Sequence, residues 1–148
     1  MNSWDRLKVI ENVSKAADVH GSSNPQQIKQ LTFSCNNAKE REVYFGLFSF
    51  FYDELLQTNQ YERQQLAGTI LLSVMPASVL ELDVSVYAAA KYWDLSVEEL
   101  PWYWCRVFGK SAVTSFLEEL IHSCADVALK RSIETMLFWC RGYEQNNI

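Results

Sequence analysis

Two histidines, four cysteines and the adjacent carboxylates Asp53-Glu54 and Glu98-Glu99 are the residues of this chain first to be weighed as bases, nucleophiles or metal ligands. Histidine is the usual general base and the usual metal ligand. Here His20 falls in a turn and His122 on a helical stretch, and neither has a second His or Cys three or four residues away. His122 and Cys124 are two residues apart, a spacing that points side chains about 200° from one another on a helix. Cys35, Cys105, Cys124 and Cys140 are widely spaced on apolar faces, where a free thiol behaves as a small hydrophobe. Without a C-x-x-C pair, neither a zinc site nor a dithiol centre is expected. Gly109-Lys110-Ser111 looks like the end of a phosphate loop, but it lacks the earlier glycine and follows a helix rather than a strand. Asp53-Glu54 and Glu98-Glu99 could do acid–base work only as facing dyads, and adjacent helical positions diverge by about 100°. The sequence therefore predicts no enzyme, no metal and no cofactor, and it leaves the paired acids as a solvated face or a docking patch.

Charge distribution favours the docking patch. Between Val43 and Cys105 the carboxylates are Asp53, Glu54, Glu62, Glu81, Asp83, Asp94, Glu98 and Glu99, against only Arg63 and Lys91, a local net charge of −6. The rest of the chain is nearly neutral, with 11 basic and 10 acidic residues. Such a field repels nucleic acid and anionic lipid and speeds encounter with a basic protein. Within it lies Tyr92-Trp93-Asp94-Leu95-Ser96-Val97-Glu98-Glu99-Leu100-Pro101-Trp102-Tyr103-Trp104, where five of thirteen residues are Tyr or Trp and three are acids. On a helix Trp102, Tyr103 and Trp104 fan over about 200°, so they cannot all face one core. Exposed rings beside carboxylates are what binding hot spots use; the competing reading is that the rings cover the end of a bundle. The partner surface expected from charge and aromaticity comprises Asp53, Glu54, Glu81, Asp83, Tyr92, Asp94, Glu98, Glu99, Trp102 and Tyr103.

The elements that must carry these residues are helices. Apolar residues recur at three- and four-residue intervals through most of the chain, and alternating strand-like runs are hard to find. The spacing predicts a first helix through Trp4, Leu7, Ile10, Val13 and Ala17, stopped at His20-Gly21, and a short second one capped by Asn24 with Pro25 in its first turn. A helix over Ala38–Gln57, with Val43, Leu47, Phe50, Phe51 and Leu55 inward, is apolar around most of its circumference and belongs at the core centre. Thr58-Asn59 breaks the chain before Tyr61–Val74, and Pro76 ends that helix. A further segment carries Val84, Tyr87, Ala88, Lys91 and Tyr92; Ser96 and Glu99 form a capping box over a short turn, followed by a helix from Pro101 to Phe108. Ser111 and Asp126 open the last two helices, and Gly142 ends the second; the tail 143–148 is expected to fray. The reading is an all-α single domain over residues 1–148, a bundle or short stack of about eight helices.

Composition agrees with that class. At 148 residues, 49% hydrophobic and 21% charged, with net charge −5, the chain is long enough to bury roughly 70% of the surface its unfolded form exposes. Met1–Ile10 carries Asp5, Arg6 and Lys8 and lacks the apolar core of a secretory signal. The longest apolar runs fall far short of the roughly 20 residues that span a bilayer. Together with the dispersed cysteines, these features predict a cytoplasmic protein that does not enter membranes.

In size, acidity, absence of a signal, aromatic helices and the run Ala88–Gly109, the chain resembles the small all-helical immunity proteins of bacterial contact-dependent-inhibition and related polymorphic toxin systems. The resemblance implies a cytoplasmic antidote that binds one cognate toxin domain, often a basic nuclease, and blocks its active site or substrate groove. It carries over no invariant functional residue. Two other classes stay open at this point: a helical scaffold or adaptor binding a peptide or regulatory partner through the same acidic aromatic face, and an orphan enzyme or small-ligand domain. A secreted-toxin reading frame immediately upstream would favour the first class, and metabolic-enzyme neighbours the last.

Overall fold

A computed structural model describes residues 3–144. Helix α1 (Arg6–His20) starts where the Asp5 carboxylate accepts the Lys8 N–H at 2.9 Å, and Gly21 closes it with φ of +78°. Helix α2 (Pro25–Asn36) has Asn24 Oδ1 accepting the N–H groups of Gln26 and Gln27, with Pro25 at a position that has no N–H to satisfy. Then follow α3 (Glu40–Phe48), α4 (Gln60–Val74), α5 (Leu82–Ala89), α6 (Glu99–Phe108), α7 (Lys110–Ser123) and α8 (Val127–Arg141), the last capped by Asp126 as the sequence predicts. Helical turns take up 73% of the described residues, none is in a strand, and the eight helices share one core. Helix α4 packs against α1, α2, α3 and α6, while α6, α7 and α8 pack on one another, so the α4–α6 contact joins the two halves.

Four expectations need correction. The helix predicted over Ala38–Gln57 stops at Phe48 and gives way to two 3-10 turns, Ser49–Phe51 and Glu54–Leu56. Ser49 Oγ donates to the Gly46 carbonyl at 2.7 Å, and the Asp53 carboxylate accepts the Leu55 N–H at 2.9 Å, so local side-chain bonds compete with the helical ladder. The tighter turns bury Phe48, Phe50 and Phe51 together and turn Leu55, expected inward, out to 86% exposure. The segment expected to be helical through Lys91 and Tyr92 ends its helix, α5, at Ala89, with 90–92 in a turn; its buried residues are Ser85, Val86 and Ala89, and Val84 and Tyr87 face outward. The Ser96–Glu99 capping box does not form: Ser96 donates to Asp94 Oδ1 through both its N–H and its hydroxyl, and α6 starts at Glu99 with Pro101 already in its first turn. Finally, Tyr143 is buried against Trp102 instead of fraying, and Lys110 Nζ holds the carbonyls of Arg141 and Tyr143 at 3.1 and 2.8 Å. The remainder of the predicted fray, 145–148, lies outside the described residues.

Two ion pairs stitch the first half. Arg6 grips Glu42 through Nε and Nη2 and stacks over the Phe45 ring, its guanidinium carbon 4.5 Å from the centroid. That hydrogen-bonded grip lowers the Glu42 carboxyl to about 2. Arg63 of α4 likewise takes Asp18 of α1 in a two-pronged contact of 2.7 and 3.0 Å. The α1–α3 crossing is closer than side chains normally allow, because Gly46 meets Val9: a Cβ at position 46 would sit 2.6 Å from Val9 Cβ and 3.2 Å from the Arg6 carbonyl. Gly46→Ala must therefore push two helices apart, and chemical denaturation should show a loss of about 1–3 kcal/mol. An alanine variant as stable as the parent would mean that this crossing is not tightly packed.

Candidate partner-binding surface

The segment richest in rings and acids is set in place from α4. Gln64 is 1% exposed. Its Nε2 donates to the carbonyls of Tyr92 (2.7 Å) and Phe50 (3.2 Å), and its Oε1 accepts the Asp94 N–H at 2.7 Å. Gln60 Nε2 adds a second bond to the Tyr92 carbonyl, and Gln57 Nε2 reaches the carbonyls of Phe50 and Asp53. Three glutamines thus bind the 50–57 turns to residues 92–94 and bring Asp53, Tyr92 and Asp94 to one end of the molecule. Beyond them Trp93 Nε1 donates to the Val97 carbonyl and Trp139 Nε1 to that of Leu95, so the whole 92–98 loop is cross-bonded.

The ten residues expected at the surface do not form one patch. Asp53 is half-buried as the cap of a 3-10 turn, and Glu54 beside it is exposed. Tyr92 is half-buried, with Lys91 Nζ 5.2 Å from its ring centroid; Asp94 is half-buried, holding Ser96. Glu81 and Asp83 are exposed at the start of α5, about 12 Å of helix away from Tyr92. Glu98 is half-exposed ahead of α6. Two of the ten turn inward, Tyr103 wholly and Glu99 in part. Tyr103 is fully buried, its hydroxyl donating to the Pro76 carbonyl at 2.6 Å, and burial pushes that hydroxyl's pKa up. Glu99 turns towards α4, where its Oε2 accepts Gln65 Nε2 at 2.6 Å, its Oε1 is buried without a partner, and its Cβ is the atom that a side chain at Gly68 would strike.

The three adjacent rings do not all face the core, as expected: Trp102 reaches the surface, while Tyr103 and Trp104 are interior. Trp102 lies against α8, with its Nε1 on the Trp139 carbonyl at 3.3 Å and its ring 6.2 Å from that of Tyr143. Together with Glu134, Phe138, Trp139 and Arg141 it lines a groove of about 470 Å3. Phe138, 66% exposed, and Trp139 meet edge to face and were missed by the sequence reading. The signal was present: the inward stripe of α8 runs through Ile133, Met136, Leu137 and Cys140, and Phe138 is a large apolar residue that falls off it.

Electrostatically the acidic stretch is uncompensated. Among the described residues the ion pairs are Arg6–Glu42, Lys8–Glu11, Arg63–Asp18 and Arg141–Glu118. None of the eight carboxylates between Val43 and Cys105 takes part, and Arg63 spends its charge on Asp18, outside the stretch. No three His, Cys, Asp or Glu side chains among the described residues come together as a metal site would need. No helix among them is long and apolar enough to cross a membrane. No protein-family model, curated protein or solved structure matches the chain.

Two measurements test this arrangement. Gln64→Leu leaves the Asp94 N–H without its partner and the Phe50 and Tyr92 carbonyls with one side-chain donor each, from Gln57 and Gln60, and should cost about 2–4 kcal/mol in denaturant unfolding; a near-neutral effect would show that the glutamine is dispensable. Burial raises the Glu99 carboxyl. A folded-state value above the unfolded one favours the fold at low pH, and that advantage is lost as pH rises through the folded value. Glu99→Gln should therefore raise Tm at neutral pH, with the gain shrinking as pH falls below the ordinary carboxylate range. A gain that persists at low pH would assign the effect to something other than ionisation.

Proposed function

We propose that this chain works by binding another protein, and that it is a bacterial cytoplasmic antidote, an immunity protein that neutralises a basic toxin domain by covering its active site or substrate groove. The observation that carries the reading is the unpaired acidic stretch: eight carboxylates within 63 residues of chain, none with a Lys or Arg partner among the described residues. Opposite charges left uncompensated raise the association rate with a cationic surface. The rigid 92–98 loop and the half-exposed Trp102 suit the same purpose, since preformed contacts lose little conformational entropy on binding. The nuclease-type partner comes from the resemblance alone, and no side-chain constellation among the described residues specifies a reaction.

The test begins with the protein encoded immediately upstream. Its C-terminal domain, expressed alone, should stop growth, and co-expression of this chain should restore it. With the two purified, association should slow steeply as salt shortens the Debye length from about 30 Å to about 8 Å. Glu54→Lys and Glu98→Lys should slow association, whereas Trp102→Ala should mainly speed dissociation, at a cost of about 2 kcal/mol if the ring is an anchor. Each variant must keep the parental Tm. Failure of co-expression to rescue growth ends the antidote reading, and stable variants with unchanged kinetics would move the interface off this face.

A further inference from the structure

Helix α8 buries one side and carries a second stripe on the other. Ile133, Met136, Leu137 and Cys140 face the core. Val127, Arg131, Glu134, Phe138 and Arg141 recur at steps of four, three, four and three residues on the solvent side, the seam spacing of a helix that packs along another helix. Val127 is 84% and Phe138 66% exposed, and the three charged side chains of the seam are exposed as well. Those charges are nearly free. Among the described residues Arg131 and Glu134 have no ion-pair partner, and Arg141 meets only Glu118, at 3.9 Å with both side chains more than half exposed; so accessible a pair contributes little.

We propose that this seam is the contact between two copies of the chain, packed with their α8 helices antiparallel about a two-fold axis. The order of its charges is self-complementary in that arrangement. Glu134 stands four residues before Phe138 and Arg141 three after it, so reversing the helix exchanges anion for cation. An axis midway between positions 134 and 141 sets Glu134 of each copy opposite Arg141 of the other, so that one contact is made twice, as an isologous interface requires. The same axis passes half a residue from Phe138, about 0.75 Å of helix rise. The two exposed rings therefore meet on it, beside the groove of about 470 Å3 that Trp102 and Trp139 wall in each copy. In this register the acid nearest Arg131 of one copy is Glu144 of the other, exposed just past the end of the helix. Parallel packing would set Glu134 on Glu134 and Arg141 on Arg141, and like charges in contact are costly. A uniformly charged partner would repel one of the two residues, whereas a reversed copy of the same helix repels neither. The acids between Val43 and Cys105 are carried by other elements than α8. A contact along 15 residues of helix, about 22 Å, falls at the low end of interface size, so the dimer exchanges with monomer. Because Trp102 lines the same groove, the dimer and any partner that uses that ring exclude each other.

The experiment is sedimentation equilibrium of the full chain at low salt, from a few micromolar to a few hundred micromolar. The wild type should pass from monomer to dimer across that range. Glu134→Arg and Arg141→Glu should each weaken self-association by about tenfold or more, since each sets two like pairs across the axis. Mixed in equal amounts, the two variants should pair with each other at near the wild-type affinity, because each supplies the charge that the other lacks. The double variant E134R/R141E should dimerise again by itself. Both side chains are exposed, so every variant should keep the parental Tm at concentrations where the chain is monomeric. A wild type that stays monomeric throughout leaves the seam to some other protein and overturns the proposal. So does a dimer that survives both single reversals, or a pair of single variants that do not associate when mixed.

Discussion

One buried amide, that of Gln64, reconciles two breaks in the helical framework. The chain leaves α-helical geometry after Phe48 and again after Ala89, and each break strands backbone groups in the interior: the Phe50 carbonyl at the first, the Tyr92 carbonyl and the Asp94 N–H at the second. A buried backbone group without a partner costs about 1–3 kcal/mol. The amide of Gln64 presents two donors to the carbonyls and one acceptor to the N–H, and only one orientation of that amide serves all three. A carboxylate in its place would face two carbonyl oxygens, and an aliphatic side chain would satisfy none of them. The constraint runs from one residue of α4 to the turns before it and the loop after α5.

Around that knot the two halves of the molecule are fitted by close approach. Gly46 lets α3 press on Val9 of α1, and Gly68 lets α4 press on the Cβ of Glu99 at the start of α6. The second contact places an ionisable group where solvent is scarce, which explains both the raised Glu99 carboxyl and its unpartnered Oε1. Arg6–Glu42 and Arg63–Asp18 reinforce the α1 contacts from the surface. Pairs this accessible contribute modestly, so packing at the two glycines and the buried hydrogen bonds carry more of the specificity.

The sequence resolved the parts of this plan that depend on local chemistry. Asn24 and Asp126 cap helices where their side chains allow it, Gly21 and Gly142 end them, and the inward stripe of α8 follows the 3.6-residue period. It misled where a tertiary bond outcompeted a local one. Ser96 and Glu99 have the spacing of a capping box, but Asp94 captures the serine and Gln65 the glutamate. Of the three adjacent rings Trp102 does reach the surface, as the fan implied, but Tyr103, also expected there, does not: the Pro76 carbonyl supplies an interior partner for its hydroxyl, and a tyrosine with its polar end satisfied can be buried whole. Gln60 and Gln64 lie four residues apart on α4, and Gln57 joins their buried polar seam from the turn before it. The importance of Gln60 and Gln64 was hidden because they bind backbone groups some 30 residues away.

The candidate site divides its labour according to the range of the forces involved. Charges act across a Debye length of about 8 Å at physiological salt, so Glu54, Glu81, Asp83 and Glu98 need not lie in one patch to attract the same cationic surface. Rings act only in contact, and those that reach the surface together, Trp102, Phe138 and Trp139, do converge on one groove. Helix α6 connects the two ranges. Glu98 immediately precedes it, and Trp102, four residues on, donates its backbone N–H to the Glu98 carbonyl at 3.0 Å, so under the proposed function a steering charge and an anchoring ring would be one turn apart on the same element. That element is clamped on one side by Gly68 and Gln65 and on the other by the α8 contacts of Trp102 and Cys140. A partner drawn in by the acids would meet a groove whose width is already set by core packing, so its affinity would be limited by fit rather than by the cost of ordering this face.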